Sequence, residues 1–186
     1  LVGSEMCIRD RYISSLMLIA SSLPNGLEIN LVGKVTSVPY INMTLSLLNT
    51  IGVKAHFKKD KITILPFNSL SVKKITVESD WSSASYFYSI IALSEIGSEI
   101  TLTSYKKDSL QGDFCLTEIY KHFGVSTIFK ENSIVISKVK ETKTNQLKLD
   151  LINAPDIAQT IAVTCLGLGV SCLLTGLHTL KIKETD

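Results

Sequence analysis

Along this chain, short runs of alternating apolar and polar residues give way to apolar positions spaced three and four apart, and the whole succession then recurs. The stretch from Val77 to Leu102 is the middle of three copies. Setting Gly97 over Gly26 and over Gly169 aligns Gly26-Leu-Glu-Ile-Asn-Leu31, Gly97-Ser-Glu-Ile-Thr-Leu102 and Gly169-Val-Ser-Cys-Leu-Leu174, at offsets of 71 and 72 residues. Ile51-Gly-Val53 falls over Phe123-Gly-Val125, and a shift of 72 places Phe57 over Phe129, Ile62 over Ile134 and Ile64 over Ile136. This interval exceeds that of the common helical and leucine-rich solenoids, so each copy is a supersecondary unit of several elements.

The pattern predicts those elements in order. Tyr12 to Ser21 reads as a buried helix stopped by Leu23-Pro-Asn-Gly26, and Glu28 to Leu31 as a strand. Thr36-Ser-Val-Pro-Tyr40 opens a capped helix with Ile41, Leu45 and Leu48 on one face and Gly52 at its end. Lys54 to Phe57 and Ile62 to Leu65 form a hairpin around Lys59-Asp60. The unit is therefore strand, helix, strand, helix, strand, strand, with the first strand missing from copy one. Pro66 to Ser71 is a connection, and Lys74 to Val77 opens copy two. Copy two continues through a helix over Ser82 to Leu93, a strand over Glu99 to Leu102, a helix from about Asp113 to Phe123 and a hairpin around Asn132-Ser133. Lys138 to Gln146 reads as a charged linker. Copy three has a strand over Leu147 to Leu151, a helix from Asn153-Ala-Pro-Asp156 and a strand over Ser171 to Leu174, and it breaks off at Lys181-Ile-Lys-Glu-Thr-Asp186. The first eleven residues match no copy and are set aside as a non-native scar; both ends of the chain read as cut.

Composition narrows the classes. At 186 residues and a formal charge of +2, with lysines and glutamates interspersed, nothing favours a nucleic-acid partner. Cys7, Cys115, Cys165 and Cys172 show neither paired spacing nor a nearby histidine set. They read as reduced, mostly buried thiols of a cytoplasmic protein. Ile157 to Leu180 carries no formal charge, but it contains Gln159, His178 and glycines, and the repeat divides it into helix, turn and strand, so no membrane span is assigned.

Strands joined by crossover helices run parallel, with their carboxyl ends and the helix N-termini at one edge. Ser37, Tyr40, Ser109, Gln111, Asp156, Lys183 and Glu184 all fall in such strand-to-helix loops. A cleft there combines N–H donors, a lysine and carboxylates, which suits a phosphorylated anionic substrate. Every one of these residues also has a plainer reading. Ser37 before Pro39 is a helix cap, Asp156 after Pro155 is a first-turn acid, and Lys183-Glu184 is a solvated helix start. Trp81 and Tyr86 read as core or hinge packing, and His178 stands without a partner. On the residues alone, the chain is an α/β repeat protein with an anion cleft.

A combination of motifs goes further. Leu23-Pro-Asn-Gly26, Ser37-Val-Pro-Tyr-Ile41, Glu78-Ser-Asp-Trp-Ser-Ser-Ala-Ser-Tyr86, Gln111-Gly-Asp113, Ala154-Pro-Asp156 with Thr160-Ile-Ala162, and Lys183-Glu-Thr-Asp186 together resemble the 3-phosphoshikimate 1-carboxyvinyltransferase family of enolpyruvyl transferases over nearly all of the chain after Arg11. The resemblance implies a two-domain α/β fold built from repeated βαβαββ units, of which this chain holds about two and a half. Residues 12–76 would close the first domain and residues 77–186 would form the first half of the second. It implies a transferase that moves the enolpyruvyl group of phosphoenolpyruvate to the 5-hydroxyl of shikimate 3-phosphate and releases phosphate, in aromatic amino acid and chorismate biosynthesis.

By similarity, Asp156 is the base and holds the shikimate hydroxyls, Glu184 is the acid, Lys183 binds the 3-phosphate, and Ser37 and Tyr40 line the phosphate site. No metal or organic cofactor is implied, and the full-length protein is expected to be a cytoplasmic monomer. Arg9-Asp-Arg11 stands where the family shows Ser-Ser-Gln, and Thr179 where some members carry an Asn ligand. These 186 residues are expected to be inactive alone. The rival readings are the related UDP-N-acetylglucosamine enolpyruvyl transferase and a non-catalytic, anion-binding repeat scaffold.

Overall fold

The computed structural model describes residues 6–33, 38–67, 74–178 and 180. It divides into two compact units, Leu1–Thr76 and Val77–Lys181.

The first unit contains α1 (Met6–Ala20), β1 (Leu27–Asn30), α2 (Val38–Thr50), β2 (Ala55–Lys58) and β3 (Lys61–Ile64). α1 starts well before the expected Tyr12, inside the stretch set aside as foreign. α2 buries Ile41, Thr44, Leu45 and Leu48, the three-and-four spacing read from the sequence, against Met17 and Ala20 of α1. Asn49 ties the end of α2 to β2. Its Nδ2 donates to the carbonyls of Leu45 and Ala55, both at 2.9 Å, and its Oδ1 accepts from Ala55 N at 3.2 Å. The sheet runs β1-β3-β2, antiparallel throughout, so β1 and β2 point the same way without touching. That differs from the parallel neighbours expected of a crossover, because the hairpin strand β3 inserts between them. Ile62 and Ile64 of β3 face the helices and are fully buried.

The second unit contains α3 (Trp81–Leu93), β4 (Glu99–Thr103), α4 (Leu116–Ile119) between 3-10 turns at Gly112–Cys115 and Tyr120–Phe123, then β5 (Val125–Phe129), β6 (Ser133–Lys138), β7 (Gln146–Asp150), a 3-10 turn at Pro155–Ile157, α5 (Ala158–Gly167) and β8 (Ser171–Thr175). β4-β6-β5 repeats the antiparallel sheet of the first unit, whereas β7 and β8 pair in parallel across α5. The repeat is visible in the hydrogen bonding. Phe57 pairs with Ile62 in one hairpin and Phe129 with Ile134 in the other, the same register after the 72-residue shift. The aligned glycines Gly26, Gly97 and Gly169 all adopt positive φ (68, 95 and 66°), a conformation open to glycine at little cost, where the chain turns from helix into strand.

Several expectations need correction. Lys74 to Val77 is not a strand. Its residues are exposed, Val77 by 84%, and the chain first meets β4 at Ser79, whose N–H donates to the Ser104 carbonyl at 2.7 Å. A β-branched run without a face to bury gains nothing from extending. The helix expected over Asp113 to Phe123 tightens into 3-10 geometry at both ends, with i→i+3 bonds such as Gly124 N to Lys121 O (3.1 Å). Lys138 belongs to β6 and is buried, so the charged linker begins after it. Tyr86 is 64% exposed and is not core, while Trp81 is fully buried against Tyr105 and Phe114 in edge-on contacts (centroids 4.9 and 5.0 Å). Among the described cysteines, Cys165 is buried, Cys115 half-buried and Cys172 exposed. No helix of the described residues is long and apolar enough to cross a membrane.

α3 and α5 meet through hydroxyls as well as apolar side chains. Ser85 Oγ donates to Thr160 Oγ1 at 3.0 Å, Thr164 Oγ1 to Ser89 Oγ at 2.8 Å, and Tyr120 OH lies 3.0 Å from Thr164 Oγ1. The Ser-rich start of α3 is thereby explained. Small hydroxyls let two helices pack closely while these buried hydroxyls find partners in one another.

Candidate functional site

The β7–β8 ladder supplies an edge of the expected kind. Leu151 N donates to the Thr175 carbonyl at 2.9 Å, so the two strands finish level. Beyond β7 the chain turns at once: Asp150 Oδ1 accepts from Ile152 N at 3.1 Å, and Ala154 N donates to Leu151 O at 3.0 Å. Pro155 then opens the turn that leads into α5, at a position where a missing N–H costs nothing. Asp156 stands in that turn, half-buried, one residue before the fully buried Ile157 that anchors it to the core. Beyond β8 the chain leaves the same edge through Gly176 and His178, whose Nε2 is buried without a hydrogen-bond partner among the described residues.

Tyr40 lies in the other unit, in the first turn of α2. Its ring is 37% exposed, and its carbonyl accepts from Thr44 Oγ1 at 3.0 Å. Ser37, Lys183 and Glu184 lie outside the described residues, as does Thr179, and the side chains of Arg9 to Arg11 are likewise undescribed. Of the candidates, then, Tyr40 and Asp156 are described, one in each unit. Each stands at the start of a helical segment, as its motif predicted.

The corresponding loop of copy two is committed elsewhere. Glu78 Oε1 accepts from Trp81 Nε1 (2.8 Å) and Lys106 N (2.9 Å), and Glu78 Oε2 accepts from Ser109 Oγ (2.8 Å) and Gln111 Nε2 (3.2 Å). Gln111 Nε2 also donates to Ser79 O at 2.9 Å, while its Oε1 accepts from Trp81 N at 2.9 Å. Ser109 and Gln111, both half-buried, are therefore engaged by Glu78. Alongside, Asp80 caps α3 by accepting from the N–H groups of Ser82 (3.0 Å) and Ser83 (3.2 Å), and Ser82 Oγ donates to the buried Asp113. Sequence reasoning missed Glu78 because its donors lie some thirty residues away; the only local sign was a carboxylate three residues before a tryptophan.

Two of the described cysteines are held as thiols. Burial pushes Cys165 up to about 12, with the neighbouring Cys172 adding to the effect, and it pushes Cys115 up to about 11, with Asp113 adding. Neither is a thiolate nucleophile at neutral pH. Burial likewise raises Tyr120 to about 12, against its hydrogen bond to Thr164. Among the described residues, no cluster of His, Cys, Asp and Glu is set to hold a metal ion. An open depression on the first unit, lined by Glu28, His56, Lys58 and Lys61 among others, contains none of the candidates. Part of its charge is already taken by the Lys61–Glu28 pair at 2.7 Å.

Comparison with known proteins is consistent along the chain. Residues 6–186 match the family model described as EPSP synthase (3-phosphoshikimate 1-carboxyvinyltransferase). Two 3-phosphoshikimate 1-carboxyvinyltransferases from strains of Bacteroides fragilis are 41% and 42% identical over the whole of this chain, which covers 46% of each. One from Methanospirillum hungatei is 31% identical over 96% of this chain and 42% of its own length. The chain thus spans about half the length of the curated relatives it matches. Among solved structures, EPSP synthase from Acinetobacter baumannii superposes with a TM-score of 0.61 at 17% identity, over 91% of this chain and 39% of that one; at that identity the likeness concerns the fold alone.

Proposed function

The chain belongs to the EPSP synthase (3-phosphoshikimate 1-carboxyvinyltransferase) family, and on that premise we propose that the protein containing it transfers the enolpyruvyl group of phosphoenolpyruvate to the 5-hydroxyl of shikimate 3-phosphate, releasing phosphate. The observation that carries the reading is the family match from residue 6 to residue 186, supported by relatives 41% and 42% identical along the whole chain. The α/β fold, with its paired antiparallel sheets and crossover helices, is that of an enolpyruvyl transferase. In this reading, residues 12–76 close one domain and residues 77–186 open the return of the other, within a cytoplasmic monomer.

The reaction sets the roles. The 5-hydroxyl must lose a proton as its oxygen bonds to C2 of phosphoenolpyruvate, and the methylene carbon must gain one. That proton is given up again when the C–O bond to phosphate breaks. Asp156, at the carboxyl end of β7, serves as the base and holds the shikimate hydroxyls. Glu184 is the acid at the methylene carbon, Lys183 neutralises the 3-phosphate, and Ser37 and Tyr40 line the same phosphate site.

The test uses the full-length protein. With both substrates it releases phosphate, and Asp156→Asn lowers kcat by about 10²–10⁴-fold, the usual contribution of a positioned base. Undiminished turnover by Asp156→Asn would remove Asp156 from the role of base, no phosphate release by the full-length protein would favour the non-catalytic scaffold, and competition by a UDP-sugar in place of shikimate 3-phosphate would favour the cell-wall enolpyruvyl transferase. The 186 residues alone are expected to release none, because the chain spans about half of its relatives.

A further inference from the structure

Glu78 is held the way a bound anion is held. Four neutral donors meet its two oxygens, two on each, close to the full accepting capacity of a carboxylate. These donors are fixed by contacts that do not involve Glu78. Trp81 is fully buried between Tyr105 and Phe114, Gln111 is oriented by Trp81 N and Ser79 O, and Ser109 Oγ accepts from Gln111 N at 3.2 Å. A constellation supported in this way keeps its shape when the group at its centre is removed.

The repeat gives the loop a wider meaning. Shifted by 72 residues, Ser109 lies over Ser37 and Gln111 lies over Lys183. The Ser109 position thus carries a hydroxyl in copy one (Ser37) and a lysine in copy three (Lys181), and the Gln111 position carries Pro39 in copy one and a cation in copy three (Lys183). In copy two the cation is replaced by a neutral amide, and a carboxylate from the chain itself occupies the space. Glu78 also follows closely on the boundary between the units at Thr76 and Val77, after a stretch that is exposed throughout. The cradle therefore fixes the chain where it enters the second unit.

We propose that the loop from Lys106 to Gln111, with the Trp81 indole, is a carboxylate-binding cradle that copy two fills with its own Glu78, and that a small free carboxylate takes the same place once that side chain is removed. The inference does not depend on the catalytic reading, and its test does not measure activity.

The experiment is chemical rescue of Glu78→Ala in the full-length protein. Folding is checked by circular dichroism, and formate and acetate are the probes. Loss of a charge-assisted hydrogen bond speeds hydrogen exchange of the Lys106 amide by at least about tenfold. Formate or acetate restores protection saturably, acetamide and chloride at matched ionic strength do not, and a further Gln111→Ala change abolishes the rescue. Absence of rescue in the folded variant, or equal rescue by acetamide or chloride, would overturn the proposal. Should Glu78→Ala not fold, Glu78→Gln keeps the volume but sets its amide NH₂ against that of Gln111. Gln111 then turns away, and the Trp81 backbone amide exchanges at least about tenfold faster; an unchanged rate would sink the idea.

Discussion

Lys138 places an ammonium inside the core of the second unit. The residue is 3% exposed, and its Nζ donates to Ala92 O (2.7 Å), Phe123 O (2.8 Å) and Thr142 Oγ1 (3.4 Å). Both carbonyls sit at the ends of helical segments, where acceptors lack an intrahelical partner and the dipole favours a cation. Lys138→Met nearly keeps the side-chain length but leaves the Ala92 carbonyl bare, at about 1–3 kcal/mol, while the Phe123 carbonyl loses one donor and keeps Thr142 Oγ1 at 3.2 Å. Part of that is offset because an ammonium no longer has to be desolvated. The expected net loss is about 1–2 kcal/mol. Lys138→Ala should lose about 2 kcal/mol more, since it also removes the methylene, sulfur and methyl that methionine keeps, each worth roughly a buried methylene at about 0.8 kcal/mol. Native-state hydrogen exchange of the amides of β6, the central strand of its sheet, reads the opening free energy of this unit without requiring the whole protein to unfold in one step. Protection of Lys138→Met within about 0.5 kcal/mol of wild type would refute the reasoning. The pH dependence has a definite sign. Burial pulls Lys138 below the ordinary lysine value of 10.5, with Glu141 opposing. Between the lowered folded value and 10.5 the unfolded chain binds more protons, so this site adds stability as pH rises and the wild-type advantage over Lys138→Met widens.

Two further perturbations separate local causes. Gly124 has a φ of 77° and an added Cβ would run into the Lys140 carbonyl, whereas Gly97, with a φ of 95°, has nothing within 4 Å. Gly124→Ala should therefore cost at least about 2–3 kcal/mol and Gly97→Ala only about 1 kcal/mol, compared by thermal midpoint; equal losses would remove the steric part of the account. For the thiols, Cys165 at about 12 and Cys115 at about 11 leave on the order of 10⁻⁴ and 10⁻³ of each as thiolate at pH 8. Iodoacetamide should label the exposed Cys172 of the native protein before Cys115 and Cys165, and equally fast labelling of Cys165, followed by mass spectrometry, would contradict its burial.

The repeat was legible because it is written in local terms. A strand announces itself by alternation, and a helix-to-strand turn by the glycine it needs, so aligning Gly26, Gly97 and Gly169 located turns that share a positive φ. The hairpin register followed from the same shift, because Phe57 and Phe129 each pair with the isoleucine five residues on. What failed depended on partners far along the chain. Ile75 and Val77 look like strand residues but have no face to bury, Lys138 looks like linker charge but lies beneath two helix ends, and Tyr86 looks like core but faces outward.

The candidate site divides along the same line. Asp156 could be placed at the head of its helix from Pro155 alone, yet a capping acid and a catalytic base occupy the same local geometry. Only what stands opposite distinguishes them. Copy two demonstrates the point with residues of its own. Ser109 and Gln111 have the loop position expected of ligands, and they are in fact spoken for by Glu78, a residue nearer the start of α3 than to either of them. A strand-to-helix loop in this fold is thus a set of aimed donors whose acceptor is supplied from a distance. In copy two the acceptor belongs to the chain. For Ser37 of copy one and Lys183 of copy three, which lie outside the described residues, the role proposed above is to meet a phosphate brought in from solution instead.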